Sequence, residues 1–160
     1  MLILIETIVL CLVFTIMVYI MSKDPIKTLY NYPPKIQERV KSLSKYKNKI
    51  PTTKNMLVAK IGVSIFIIIL VSLIMRYING YTTFIDSFKA SILIWTIINV
   101  YDALVLDCFW FCQSKKFVFE DTEDMIKEYH NYFFHIKESL IGEVIGTIVC
   151  ILSSLLVVIL

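Results

Sequence analysis

The chain has 160 residues, 58% of them hydrophobic, with a mean hydropathy of +0.74, a net charge of +3 and an isoelectric point near 8.6. A soluble domain of this length needs far more polar surface to cover its core, so the surplus apolar residues must face lipid. Nor does the mild basicity mark a nucleic-acid binder. The basic residues are gathered in one membrane-flanking stretch, which suits anionic lipid headgroups better than a phosphate backbone. A single integral membrane domain is expected over residues 1–160.

The first apolar run is Leu2 to Met21. At 1.5 Å per residue it covers about 30 Å, the thickness of a bilayer's hydrocarbon core. Glu6 is its only charge. It lacks a basic leading segment and a small-residue cleavage site, so a retained span is expected rather than a cleaved leader. Residues 23–55 follow with nine Lys/Arg against two acids, Asp24 and Glu38. Within them Pro33-Pro34 can open a helix. Ile36, Val40, Leu43, Tyr46 and Ile50 then recur at roughly helical spacing, while Lys35, Arg39, Lys41 and Lys45 occupy much of the remaining surface. That pattern predicts an interfacial helix with its apolar side toward the bilayer and its cations on anionic headgroups. The alternative is a solvated basic loop that serves topology alone.

The second run, Met56 to Ile78, carries Lys60 and Arg76 near its two ends, where both can snorkel. The third, roughly Ser87 to Cys112, is the impure one, with Asn99, Asp102 and Asp107. In residues 113–139, Asp121 or Thr122 can cap a helix whose positive end Glu123 and Asp124 favour. Ile126, Tyr129, Phe133, Ile136 and Leu140 continue it at helical intervals. This helix either lies on the membrane or runs straight into the fourth run, Leu140 to Leu160, which carries Glu143 near its entry. Gly142 and Gly146 form a small-xxx-small pair there, for packing within the bundle or for homodimerisation.

The prediction is an all-α, four-helix transmembrane bundle with cytoplasmic amphipathic segments. Residues 113–139 add Lys115, Lys116, Lys127 and Lys137 to the basic side, whereas the connection near 76–89 holds only Arg76 and Lys89. The asymmetry puts residues 23–55 and 113–139 in the cytoplasm of a cell membrane and both termini outside it. Tyr19, Tyr30, Tyr32, Tyr77, Tyr81, Trp110, Tyr129 and Tyr132 fall near the expected interfaces, as an aromatic belt would. Cys11, Cys108, Cys112 and Cys150 lie in or beside apolar runs and read as small hydrophobes, not as a disulfide framework.

Chemistry has few places to sit. If the third span enters from outside at Ser87, Asp102 lies about 22 Å along it and Asp107 nears the cytoplasmic boundary. Trp95, Asn99, Asp102 and Leu106 share one helical face, and α-helical geometry turns Asp107 about 140° away from Asp102. A carboxylate at such depth costs at least ~2.5–3.5 kcal/mol, so it must be protonated, paired or wet. Lys60, His135 and Glu143 share its depth, with Lys60 the natural counter-ion for Asp102 or Asp107. One reading is a pocket open to the cytoplasm that binds a cation, a proton or a small polar group. The other is an ion-pair and hydrogen-bond network that holds three helices together. His130, His135, Cys108, Cys112, Asp107 and Glu143 are all metal-ligand types, but no known ligand spacing appears, and no metal or cofactor is expected.

The string Trp95-x3-Asn99-x2-Asp102-x4-Asp107, then Phe117-Val118, Thr122-Glu123, Met125, Tyr129-x2-Tyr132-x-Phe134-His135 and Gly142, resembles a group of small, uncharacterised bacterial multi-pass membrane proteins. The stretch Tyr32-Pro33-Pro34-x-Ile36-Gln37-x-Arg39 resembles the same group, and the likeness covers about half the chain. Glu120-Asp121 stands where that group has Pro-Gly. The resemblance implies a multi-pass membrane protein and singles out Asn99, Asp102, Asp107, Glu123 and His135, with no activity to transfer.

Three functions are compatible with this reading. The first is proton- or cation-linked transport through a cytoplasm-facing polar site, which four spans support best as a homo-oligomer. The second is a non-enzymatic accessory or scaffold subunit of a larger membrane complex or an anionic-lipid patch. The third is a membrane-embedded enzyme acting on a lipid headgroup, with His135 and an acid as general base and acid.

Overall fold

A computed structural model describes residues 2–160, and every described element is helical. Four helices are long and apolar enough to cross a membrane: Leu2–Met21, Met56–Ile78, Phe84–Phe111 and Tyr132–Ile159. The protein is therefore a multi-pass membrane protein. We label the helices α1 (Leu2–Met21), α2 (Pro34–Ser42), α3 (Thr53–Leu73), α4 (Phe84–Tyr101), α5 (Ile126–Tyr129) and α6 (Tyr132–Ile159). Two α-helices run on in π conformation, α3 through Ile74–Ile78 and α4 through Asp102–Phe111.

α4 and α6 form the most extensive helix pair, with α1 packed on α4 and α3 on α6. The α1–α4 contact includes Thr15 Oγ1 and Tyr101 Oη, 2.8 Å apart. Between α3 and α6, the Ser72 hydroxyl donates to the Ser153 carbonyl at 3.0 Å. Met75, Ala90, Ile94 and Val157 make the buried core at one end of the bundle. At that end Asn79 Nδ2 donates to both carboxylate oxygens of Glu6, at 3.1 and 3.2 Å, which satisfies the one charge of α1. The α3–α4 turn follows from Gly80, whose φ of 71° is left-handed. Tyr81 N–H then closes back on the Met75 carbonyl at 3.0 Å. Thr83 caps α4 by accepting from Asp86 N–H at 3.2 Å.

At the other end the two long connectors fold into one cap. Ile26, Leu29, Tyr32, Ile36 and Val40 from the first connector and Phe117, Phe119 and Tyr129 from the second share a buried core. This corrects the expected interfacial helix in two ways. α2 stops at Ser42, and residues 44–49 are turns. Its apolar face, Ile36 and Val40, is fully buried on protein rather than turned to lipid. The physical reason is the aromatic surface that the second connector offers. Tyr32 and Tyr129 likewise lie in this core and not in an aromatic belt. Burial holds both phenols above their ordinary pKa.

The cations of the first connector also find protein partners. Lys35 pairs with Glu128 at 2.6 Å. Lys45 pairs with Asp121 at 2.5 Å and Glu120 at 3.1 Å, and both carboxylates raise its pKa. Arg39 Nε donates to the Asp121 carbonyl at 3.4 Å, and the Lys41 ammonium sits 4.7 Å from the Tyr30 ring centre.

In the second connector the expected cap at Thr122 is absent. Its hydroxyl donates to the Phe119 carbonyl at 2.7 Å and lies 2.7 Å from Tyr129 Oη. Helical structure breaks at His130, and Asn131 caps α6 by accepting from Phe134 N–H at 3.1 Å. α6 thus begins eight residues before the apolar run does, at Tyr132.

Candidate functional site

The polar residues of the third and fourth spans meet along the α4–α6 seam. Glu143 lies about 16 Å along α6, about one turn inside its apolar run. Its Oε1 accepts from the Thr96 hydroxyl at 2.6 Å and its Oε2 from Asn99 Nδ2 at 2.8 Å. The same amide nitrogen donates to the Ser139 carbonyl at 3.0 Å. Two glycines allow this approach. A Cβ on Gly142 would stand 3.2 Å from Asn99 Oδ1, and one on Gly146 would fall 1.8 Å from the Trp95 indole. At both glycines α6 comes close to α4 within the chain.

Nearer the cap, His135 Nδ1 lies 3.2 Å from Asp107 Oδ2. The histidine is 2% exposed, while the Asp107 side chain is 33% exposed, so the aspartate is the accessible partner. If Nδ1–H donates to Asp107, Nε2 carries a bare lone pair. That Nε2 is buried with no hydrogen-bond partner among the described residues. Phe111 packs edge-on against the imidazole at 5.0 Å and against Tyr32 at 4.9 Å, so the cap's core leans directly on the histidine.

Asp102 lies between these two groups, half-buried and within electrostatic reach of Asp107 and His135. Here the α-helical expectation fails. The 140° between Asp102 and Asp107 assumed an α-helix, but Asp102–Phe111 is π-helical. In a π-helix residues five apart are joined by hydrogen bonds and stack, so both aspartates return to one side.

Two expected members are elsewhere. Lys60 is not the counter-ion of either aspartate. It is exposed and forms no ion pair among the described residues. Around it Leu57, Val58, Ile61 and Val63 are each more than half exposed, and a Cβ on Gly62 would meet nothing. Every α3 residue from Leu57 to Val63 is exposed, and partial burial resumes at Ser64. Glu123 is exposed on the cap beside Tyr129, outside the seam. The reading from sequence missed Thr96, Ser139 and Phe111. Thr96 and Ser139 had a usable signal, since each lies one helical turn from a residue already singled out, Asn99 and Glu143.

No cluster of three or more His, Cys, Asp or Glu side chains among the described residues is arranged to hold a metal ion. What the fold and site define is a multi-pass membrane protein with a carboxylate-centred polar seam between two of its spans. Comparison with protein-family models, with curated proteins and with solved structures returns no match.

Proposed function

We propose that this chain is a small cell-membrane protein whose α4–α6 seam binds and passes a proton or a small cation. In this reading both termini lie outside the cell and both connectors in the cytoplasm, where anionic headgroups attract the lysines left free of the cap's ion pairs. The observation that carries the reading is Glu143. A carboxylate at this depth is costly, and no lysine or arginine is paired with it among the described residues. Its partners are neutral hydrogen-bond donors, which tolerate gain and loss of a positive ion better than a fixed counter-ion would. Asp102, then Asp107 with His135, extend oxygen and nitrogen ligands from Glu143 toward the cap.

The test is flux in reconstituted vesicles. Purified protein should dissipate an imposed proton or alkali-cation gradient, and Glu143→Gln, which keeps shape and hydrogen bonding, should abolish this while folding normally. Equal flux from both would refute the assignment.

A second reading has its own observation, the exposed stretch Leu57–Val63 of α3. A largely apolar helix stretch left uncovered among the described residues suits a scaffold subunit that docks a larger membrane complex or another copy of this chain. Purification in mild detergent should then recover a stoichiometric partner or a homo-oligomer, and a clean monomer would count against it.

A further inference from the structure

We infer that Lys23 and Lys116, gathered on the Tyr19–Trp110 ring pair, form a binding site for the phosphate headgroup of one anionic phospholipid. The site is independent of both readings above and holds whether the chain passes an ion or docks a complex. The geometry points there because two cations from different connectors meet at one ring. The Lys23 ammonium lies 5.3 Å from the Tyr19 ring centre, and the Lys116 ammonium lies 5.7 Å from it. The two charges therefore stand within about 11 Å of each other, close to one screening length in dilute salt. No acid is paired with either. Asp24, the neighbour of Lys23, pairs with Lys27 at 3.0 Å. Glu120, the acid nearest Lys116 in sequence, pairs with Lys45 at 3.1 Å. Lys23 and Lys116 have no ion-pair partner among the described residues, and the adjoining Lys115 adds a third unpaired cation. Like charges held this close favour an anion that both can touch.

Position makes a lipid the source of that anion. Tyr19 lies about 26 Å along α1, near the end of a helix as long as the hydrocarbon core is thick. Trp110 stands one residue before the end of its own span at Phe111. The two rings stack at 6.3 Å with 14° between their planes, and Phe117 of the second connector meets the indole edge-on at 5.6 Å. Two spans thus bring aromatic rings to one level, and such rings favour the headgroup boundary. Tyr19 keeps 46% of its surface exposed, which leaves it open to an acyl chain. Charge-assisted hydrogen bonds to phosphate are strong, and lysine's flexible stem lets both ammoniums close on one phosphate group. A zwitterionic headgroup brings its own cation, which the lysines repel, whereas an anionic headgroup brings none. Lys23 belongs to the first connector and Lys116 to the second, so a phosphate held by both fastens the cap to the end of α1. Lys35 and Lys45, expected from their spacing to meet headgroups, are instead held by Glu128, Glu120 and Asp121.

The experiment is quenching of tryptophan fluorescence by phospholipids with brominated acyl chains, on the full-length protein in phosphatidylcholine vesicles. Brominated phosphatidylglycerol, or brominated phosphatidylcholine, replaces a small fraction of the unbrominated lipid. The anionic lipid should quench at a mole fraction roughly twentyfold lower, since each lysine near a membrane surface is worth about fivefold toward an anionic lipid. Lys23→Gln and Lys116→Gln should each cut this preference by about fivefold, and Lys23→Arg should keep it. Trp95 is common to every variant, so the differences between them belong to Trp110. Either glutamine substitution is a sufficient test alone, so one that fails to accumulate leaves the other. Lys47→Gln removes the same charge from an exposed lysine outside the site and should leave the preference unchanged. An equal loss from Lys47→Gln would overturn the site and leave only the general pull of a basic surface. Equal quenching by the two brominated lipids would overturn it outright. Inorganic phosphate, matched in ionic strength by chloride in the control, should not displace the lipid. Displacement would overturn the lipid as the source and leave free phosphate as the ligand.

Discussion

Gly146 and Trp95 show how one atom decides the seam. The indole occupies the space where a Cβ on residue 146 would be, at 1.8 Å, so even alanine forces the ring or the helix to move. Overpacking of this kind costs about 1–3 kcal/mol. Gly146→Ala should lower unfolding stability in detergent by that amount, whereas Gly62→Ala, with nothing near its Cβ, should leave it unchanged or raise it. Asp121 makes the complementary case. It is the one described non-glycine residue with positive φ, 65°, in a turn closed by Thr122 N–H to the Phe119 carbonyl at 3.2 Å. A Pro-Gly pair would fit those two corner positions naturally, proline at the first and glycine at the left-handed second. Asp121→Ala should destabilise the cap by about 1 kcal/mol, since alanine bears the left-handed cost without aspartate's tolerance for it. Asp121→Gly should not, because it trades an exposed ion pair to Lys45 for relief of strain. Chemical unfolding of the two variants side by side checks this. At this scale the sequence was a partial guide. Glu143, Asn99, Asp107 and His135 were recognisable because polar atoms inside apolar runs demand partners. Lys60 was misassigned because depth along a helix says nothing about whether that helix leans toward its neighbours.

At the scale of elements, hydropathy found four spans because lipid imposes both length and composition. Their ends were less legible. α6 starts at Tyr132 because Asn131 caps it, and the amphipathic turns from Tyr132 to Ser139 extend it without being apolar enough to register as membrane. The π-helix after Tyr101 left no readable signature, and with it went the relation between Asp102 and Asp107. The cap was hidden for a different reason. Its core is built from two segments some 80 residues apart, and periodicity within either one shows an apolar face but not what covers it. Buried tyrosines give the cap a pH signature. Burial raises the phenol pKa of Tyr32 and, less strongly, Tyr129. Between the ordinary value near about 10 and the raised one, the folded cap keeps protons that the unfolded chain has released. Stability must therefore fall as pH rises above about 10, and it is fully present below. Tyrosinate absorbance should appear in two stages, exposed phenols first, and Tyr32 only as the connectors unfold. Its appearance with the exposed set would show that the core is not closed.

For the molecule as a whole, the α4–α6 pair carries the polar seam, α1 packs on α4 and α3 on α6, and the cap covers the end where Asp107 and His135 lie. Phe111 ties these parts together by touching both Tyr32 and His135. Any access to the seam from that end passes the cap, whose exposed inter-connector ion pairs weaken with salt. This arrangement requires that the chain cross the membrane four times and that residues 23–55 and 113–139 emerge on the same face. Single cysteines at Lys49, Lys127 and Tyr81, introduced with the four native cysteines replaced, test that requirement most directly in intact cells. A membrane-impermeant thiol reagent added outside should label Tyr81→Cys and leave Lys49→Cys and Lys127→Cys untouched until the membrane is permeabilised. Labelling that divides the two connectors, one reached from outside and the other not, would contradict the shared cap and the seam it covers.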